Sequence, residues 1–463
     1  MSARLKTISP IDGRVYLERD LADARAIDAA LTAAQRAQRA WRGTPLEERV
    51  RLLGRAVDAF VASGATIAEQ ITWQMGRPLA HSPSEIRGFA ERARFMLGIA
   101  AQALGAIDPG EKSGFARRIK RVPVGVVAVV APWNYPYLTA VNSVVPALIA
   151  GNAVVLKHSH QTPLCAERFA EAFAAGGLPE GVFQFLHLSH EDSARLMADE
   201  RVNAVCFTGS VSGGHAVVAA TARGFASAGL ELGGKDPAYV CADADLAHAV
   251  ESLTDGAFFN AGQSCCGIKR IYVSAPLYER FVAQLVDLTH RYRLGSPLDP
   301  ETTLGPVVRI AAADAVRAQV DAALAQGAHQ LIERRHFPRD ERGTPYLAPQ
   351  VLVDLDHSYR IMREETFGPA VGIVKVSSDE EAVQLMNDSA FGLTAAIYSS
   401  DPGRAEALGD QLETGTVFLN RCDYLDPALA WTGVKNSGRG CTLSRVGFEQ
   451  LTRPKSFHFR TRL

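Results

Sequence analysis

The chain lacks any cysteine spacing that could build a metal site or a disulfide framework. Its seven thiols, Cys165, Cys206, Cys241, Cys265, Cys266, Cys422 and Cys441, are odd in number and include no C-x-x-C pair. That excludes zinc ribbons and the stapled secreted scaffolds, and no metal is expected. Adjacent Cys265 and Cys266 favour a reducing compartment, because neighbouring thiols invite mispairing in an oxidising one. An excess of one charge is lacking too: Lys plus Arg total 49 against 50 for Asp plus Glu. No net field recommends nucleic acid or an anionic membrane as a partner. The local run Arg117-Arg118-Ile119-Lys120-Arg121 reads as a solvated edge. The opening residues Met1 to Pro10 have no apolar core of a signal peptide, and no long apolar stretch free of charge follows. The expectation is a soluble, cytoplasmic protein. Tandem repeats and low-complexity segments are absent as well.

What is present is ordinary globular material, 47% hydrophobic and 21% charged over 463 residues, enough for two or three domains with sizeable cores. Residues 20–75 alternate apolar and charged side chains at helical spacing, with Thr44 and Pro45 as cap and first turn of one helix. The β-branched run Val124 to Ala131 then ends abruptly in Pro132-Trp133-Asn134-Tyr135-Pro136, a buried strand delivering a loop. Strands at 153–156, 202–207, 237–241 and 271–273 alternate with helices near 163–175, 245–260, 276–293 and 310–326. Such alternation predicts parallel βαβ units, whose ligands sit at the carboxyl ends of the strands. The tail from Gln450 to Leu463 alternates at period two. It reads as an exposed edge strand that makes an oligomer contact, with pairing inside its own subunit equally compatible with the pattern.

The chemistry-bearing residues fall at these strand ends. Cys265, in Gly262-Gln263-Ser264-Cys265, is a thiol among small residues; with a carboxylate such as Glu231 in reach, it suits acyl-enzyme chemistry. Asn134 offers an uncharged donor of the kind a tetrahedral oxyanion requires. Phe207-Thr208-Gly209-Ser210 follows a strand and opens a helix, a turn at which backbone N–H groups approach a phosphate. Lys157 follows another strand and could reach ribose hydroxyls or a phosphate. In Glu364-Glu365-Thr366-Phe367-Gly368-Pro369 a carboxylate could hold ribose and a ring could pack on a heterocycle. Singly, each has a bland alternative: a buried cysteine, a tight turn, a surface lysine, a solvated acidic loop.

Together these motifs, with Glu231-Leu232-Gly233-Gly234-Lys235, resemble the aldehyde dehydrogenase superfamily in identity, order and spacing from about Ser9 onward. The resemblance implies an α/β fold of two parallel-sheet domains, a Rossmann-like cofactor domain (1–104 and 124–233) and a catalytic domain (234–436). A small β element (a hairpin near 105–123, with 447–463) would make a homodimer or homotetramer. It also implies Cys265 as nucleophile, Glu231 as general base and Asn134 as oxyanion donor. Trp133, Lys157, His160, Gly209, Ser210, Gly214, Leu232, Glu365 and Phe367 would contact NAD or NADP. Tyr135, Asn142, Ser264, Cys266, Leu425 and Trp431 would line the tunnel for a small-molecule aldehyde.

The chain departs from the family pattern in three places. His160 stands where a Glu often binds the adenosine ribose; a histidine tolerates the 2′-phosphate that a carboxylate repels, so both NAD and NADP remain open. Ser143 and Thr442 replace a Lys and a Glu often assigned to a proton relay, leaving Glu231 as the sole obvious base. The tunnel residues suggest a medium or bulky, mainly neutral aldehyde, with Arg421 and Asp423 of the same loop read as structural. Two alternatives stand beside this: a CoA-acylating relative, which the base at Glu231 disfavours, and a silent binding protein on the same fold.

Overall fold

The computed structural model describes residues 4–462. After a short antiparallel pair, Arg4–Ile8 with Val15–Asp20, come helices α1 (Ala24–Trp41), α2 (Leu46–Ala62), α3 (Gly64–Met75) and α4 (Pro83–Leu104). Their apolar stripes follow the spacing read in the sequence. Pro45 is the N-cap of α2 and Thr44 lies outside it, its carbonyl taken by Arg49 Nη1 at 2.8 Å. The remaining helices that frame the site are α5 (Pro136–Ile149), α6 (Leu164–Gly176), α7 (His190–Ala198), α8 (Val211–Thr221) and α9 (Leu246–Phe258).

Two sheets form the body. In the six-stranded sheet the order is Gly438–Arg439, Ser227–Glu231, Val202–Thr208, Val126–Ala131, Ala153–His158, Phe183–Phe185. All neighbours are parallel except Gly438–Arg439, which runs antiparallel to Ser227–Glu231. Strand alternation divides its core. Val127, Val129, Val154 and Leu156 pack with α2, α4, α5 and α6 on one face, while Val126, Ala128, Val155 and Val205 meet α1, α7 and α8 on the other. The seven-stranded sheet runs His329–Gln330, Gln350–Val353, Ala370–Val376, Ile268–Ser274, Asp236–Val240, Thr394–Tyr398, Thr416–Leu419.

The tail strand, Thr452–Arg460, pairs antiparallel along its whole length with Phe115–Pro123 of the same chain. The resulting ribbon carries cations on an aromatic ring: Arg118, Lys120 and Lys455 all lie over Phe457. The hairpin expected within 105–123 is reduced to isolated bridges, Ile107 with Ile119 and Lys112 with Phe115. Pro109 and the left-handed Gly110 and Gly114 prevent a second ladder there.

One buried ion pair joins the helical opening to the strand ends. Arg77 and Glu85 are fully enclosed, 2.5 Å apart. Arg77 also donates to the Asn134 carbonyl at 2.5 Å and to Asn260 Oδ1 at 3.1 Å. Glu85 accepts from the main-chain N–H groups of Tyr137 and Leu138, both at 2.9 Å, in the first turn of α5, where the helix dipole favours a carboxylate. Glu85→Gln should cost about 3–5 kcal/mol by leaving Arg77 buried without its counter-charge, read as a lower urea midpoint. An unchanged midpoint would refute this role.

Candidate active site

In the six-stranded sheet the chain moves outward from Val126–Ala131 through Ala153–His158 to Phe183–Phe185, then returns to the other side of Val126–Ala131. Strand order therefore reverses between Val126–Ala131 and Val202–Thr208, which opens a crevice at their carboxyl ends. Trp133 and Asn134 leave one rim and Gly209 and Ser210 the other. Ser210 caps α8, accepting from Gly213 N at 3.2 Å. Gly214 must be small, since a Cβ there would lie 2.8 Å from Leu232 Cδ1.

The cofactor residues named from the resemblance cluster around this crevice. Lys157 is buried at the end of its strand, burial pulls it down to about 8, and its amine bonds no described group. An enclosed ammonium without an acceptor fits ribose hydroxyls. The Trp133 and Phe367 rings meet edge to face at 5.6 Å. Glu365 is pushed up by burial and lies close enough to Gly233 that a Cβ there would sit 2.0 Å from its oxygen. His160 is tied to the Leu188 carbonyl through Nε2 at 2.6 Å, and burial pulls it down. No carboxylate occupies its place.

Cys265 comes from the second sheet's side, after a turn in which Asn260, Ala261 and Gly262 are all left-handed (φ 53, 55 and 66). Two non-glycine residues in that region are strained and must be held. Asn260 Nδ2 donates to the carbonyls of Asn134 and Gln263, and Lys269 Nζ to those of Gly262 and Gly368. Asn134 Nδ2 donates to the Gln263 carbonyl at 3.2 Å, which sets its amide beside the thiol's loop and leaves its second hydrogen for another acceptor. The thiol is half-buried and opens into a cavity of about 410 Å³.

That cavity is also lined by Glu231 and by all six residues named for the tunnel, Tyr135, Asn142, Ser264, Cys266, Leu425 and Trp431. Cys266 is distinct from its neighbour: its thiol is buried, donates to Asp423 Oδ1 at 3.0 Å, and is pushed well up by its bond to Cys265 and by burial. Asp423 also accepts from Ser264 Oγ at 2.7 Å. Arg421 is not in the lining; its guanidinium stacks on the Tyr424 ring.

Glu231 ends its strand half-buried, in the cavity lining. Burial pushes its carboxyl up, opposed by hydrogen bonds from Thr442 and Thr208. Thr442 Oγ1 donates to Oε1 at 2.5 Å and Thr208 Oγ1 to Oε2 at 3.1 Å. Where the sequence shows only a lost acid at Thr442, the structure shows a hydroxyl on the base itself. Sequence reasoning also missed Arg92 of α4, a buried guanidinium in the cavity wall, and Asp255 of α9, which lines the same cavity. Both sit at ordinary helical spacing among other charges, and no local signal separates them.

A crevice at a topological switch point, beside a cavity that gathers a half-exposed thiol and a half-buried carboxylate, belongs to a doubly wound α/β protein of the oxidoreductase class. The chain belongs to the aldehyde dehydrogenase family, whose profile matches residues 1–457, and it is an aldehyde dehydrogenase. It is 36% identical over 450 residues to vanillin dehydrogenase of Pseudomonas fluorescens, covering 96% of this chain and 92% of that one. Among solved structures, succinic semialdehyde dehydrogenase from Streptococcus pyogenes with NADP+ has a TM-score of 0.93 at 31% identity, covering 98% of this chain and 100% of that one. PnpE in complex with nicotinamide adenine dinucleotide has a TM-score of 0.95 at 29% identity, covering 100% and 95%.

The Thr442 hydroxyl bond favours the ionised form of Glu231. Thr442→Val should therefore raise the Glu231 pKa further and move the acid limb of the kcat profile to higher pH, with Thr442→Ser restoring it. A profile that stays in place in the valine variant would show the bond to be incidental.

Proposed function

We propose that the protein oxidises an aldehyde to the free carboxylic acid with NAD or NADP as acceptor, through a covalent intermediate on Cys265. The observation that carries this reading is the convergence of Cys265 and Glu231 on one cavity, with Asn134 bonded to the loop that presents the thiol. Cys265 Sγ adds to the aldehyde carbon, and the oxygen that becomes negative is met by Asn134 Nδ2 and a main-chain N–H at the nucleophile. Bound NAD or NADP would supply the acceptor for the hydride that this carbon loses. Lys157 and Glu365 are suited to the ribose hydroxyls, Ser210 and the α8 N-terminus to the pyrophosphate, and Trp133 and Phe367 to the flat ring. The thioester left on Cys265 is cleaved by a water whose proton goes to Glu231, which frees the acid and returns the thiol. A carboxyl pushed upward by burial is a stronger base than an exposed one, which suits that step. A base at this position does not fit transfer of the acyl group to CoA.

Residues 1–104 and 124–233 would form the cofactor domain and 234–436 the catalytic domain, in keeping with the two sheets. The ribbon from 105–123 and 447–463 would join subunits of a homodimer or homotetramer in the cytoplasm. Its open edges support that reading.

Cys265→Ala should abolish formation of reduced cofactor at 340 nm with every aldehyde, and an equal rate in the variant would sink the mechanism. Glu231→Gln should keep the first burst of reduced cofactor while slowing turnover, so an unaltered steady-state rate refutes its role as base. His160→Glu should lower kcat/KM with NADP far more than with NAD, by repulsion of the 2′-phosphate; an equal change with both places His160 away from the ribose.

A further inference from the structure

We propose that Arg92 and Asn142 form a subsite for a carboxylate on the substrate, so that the preferred aldehydes are oxo-acids. This deepens the aldehyde-oxidising reading and rests on it. Arg92 lies on α4, only 8% exposed, in the wall of the cavity that holds Cys265. Its Nη1 donates to the Leu138 carbonyl at 2.7 Å and to Asn142 Oδ1 at 3.2 Å. Nε and Nη2 bond nothing among the described residues, and no carboxylate pairs with the guanidinium. An enclosed cation with spare donors is costly unless something satisfies it.

Asn142 supplies the second observation. Its side chain is 2% exposed and lines the same cavity, and with Oδ1 committed to Arg92, its Nδ2 is buried with no partner. The pair offers donors and no free acceptor, so the matching ligand group is an oxygen acceptor. The Arg92 charge and its planar fork select a carboxylate among acceptors. The acidic groups nearest to it are otherwise engaged. Glu85 is held by Arg77, Glu91 accepts from Tyr424, and Glu231 is clamped by two threonines. On the far loop, Asp423 is occupied by Ser264 and Cys266. Asp255, which also lines the cavity, is pushed up to about 6 by burial and by Asp423 and stays mostly ionised at neutrality, but it makes no ion pair with Arg92. Tyr135, Leu138 and Trp431 of the same lining add apolar wall for the carbon chain. On this proposal the neutral aldehyde suggested by the tunnel residues alone would become an anionic one, because the cations of the lining, Arg92 and Arg87, come from a helix outside the motifs.

The test compares kcat/KM for carboxybenzaldehyde against benzaldehyde, for a short oxo-acid against its methyl ester, and for the equivalent ammonium-bearing aldehydes. Wild type should favour the carboxylates by about tenfold or more, the scale of a charge-assisted hydrogen bond. Arg92→Met should erase that ratio mainly through KM, and Arg92→Lys should keep part of it. The near-isosteric Asn142→Asp cancels the Arg92 charge, guards against a folding defect in the methionine variant, and should also erase the ratio. A wild-type preference for neutral or ammonium-bearing aldehydes overturns the proposal. So does an equal fall for all aldehydes in Arg92→Met with a shifted acid limb, which would assign Arg92 to the field around Glu231. Failure to oxidise any aldehyde, neutral ones included, overturns the parent reading as well, whereas oxidation without carboxylate preference overturns this one alone.

Discussion

The Arg77–Glu85 pair is the interaction on which the site's geometry depends. Its two charges are enclosed together, and the groups they bond are the parts that must not drift: the Asn134 carbonyl, the first turn of α5 and the Asn260 side chain. Arg77 fixes both the loop that presents the Asn134 amide and the turn that precedes the thiol, while Glu85 fixes the first turn of α5. A buried ion pair is weak evidence for stability in itself. Its value here is registry, since it sets two loops from different sheets at a fixed separation.

Around that tie, each functional group reaches the crevice by a different structural device. The topological switch of the six-stranded sheet opens the nucleotide side. Three consecutive left-handed residues raise Cys265 from the catalytic side. Close approach does the rest: a Cβ at Gly234 would lie 2.3 Å from the Cys265 carbonyl oxygen, so only glycine lets the strand bearing Glu231 continue past the thiol's loop. Gly234 is thus a steric condition for bringing Glu231 and Cys265 to one cavity.

Much of this was legible in the sequence, and the boundary is physical. Residues in loops at strand ends announce themselves, because small, aromatic and polar types there have no packing reason to be present; Cys265, Asn134, Ser210 and the tunnel residues were found that way and through the family resemblance. Helix periodicity located α6 and α9 to within a few residues and marked 20–75 as helical without dividing it into α1, α2 and α3. Glu85 and Arg92, at helical spacing in α4, and Arg77, in the loop after α3, were invisible, since a charged residue in a helix or loop normally faces water and only the tertiary fold encloses these three. Thr442 was read as a deficit because its bond to Glu231 spans 211 residues of chain, beyond any local pattern. The hairpin in 105–123 failed on composition, where Pro109 and two left-handed glycines outweighed the alternation around them.

The antiparallel strand Gly438–Arg439 has a consequence for timing. It stitches a late stretch of chain onto the strand that ends in Glu231, and the same stretch brings Trp431 to the cavity wall and Thr442 to the base. Contacts of such sequence separation form late, because loop closure must precede them. During synthesis the earlier sheets can assemble and bury their cores while the base still lacks its clamp and the tunnel one of its walls. A prematurely ended product would then hold the Cys265 thiol in a cavity that lacks Trp431 in its wall and Thr442 on Glu231.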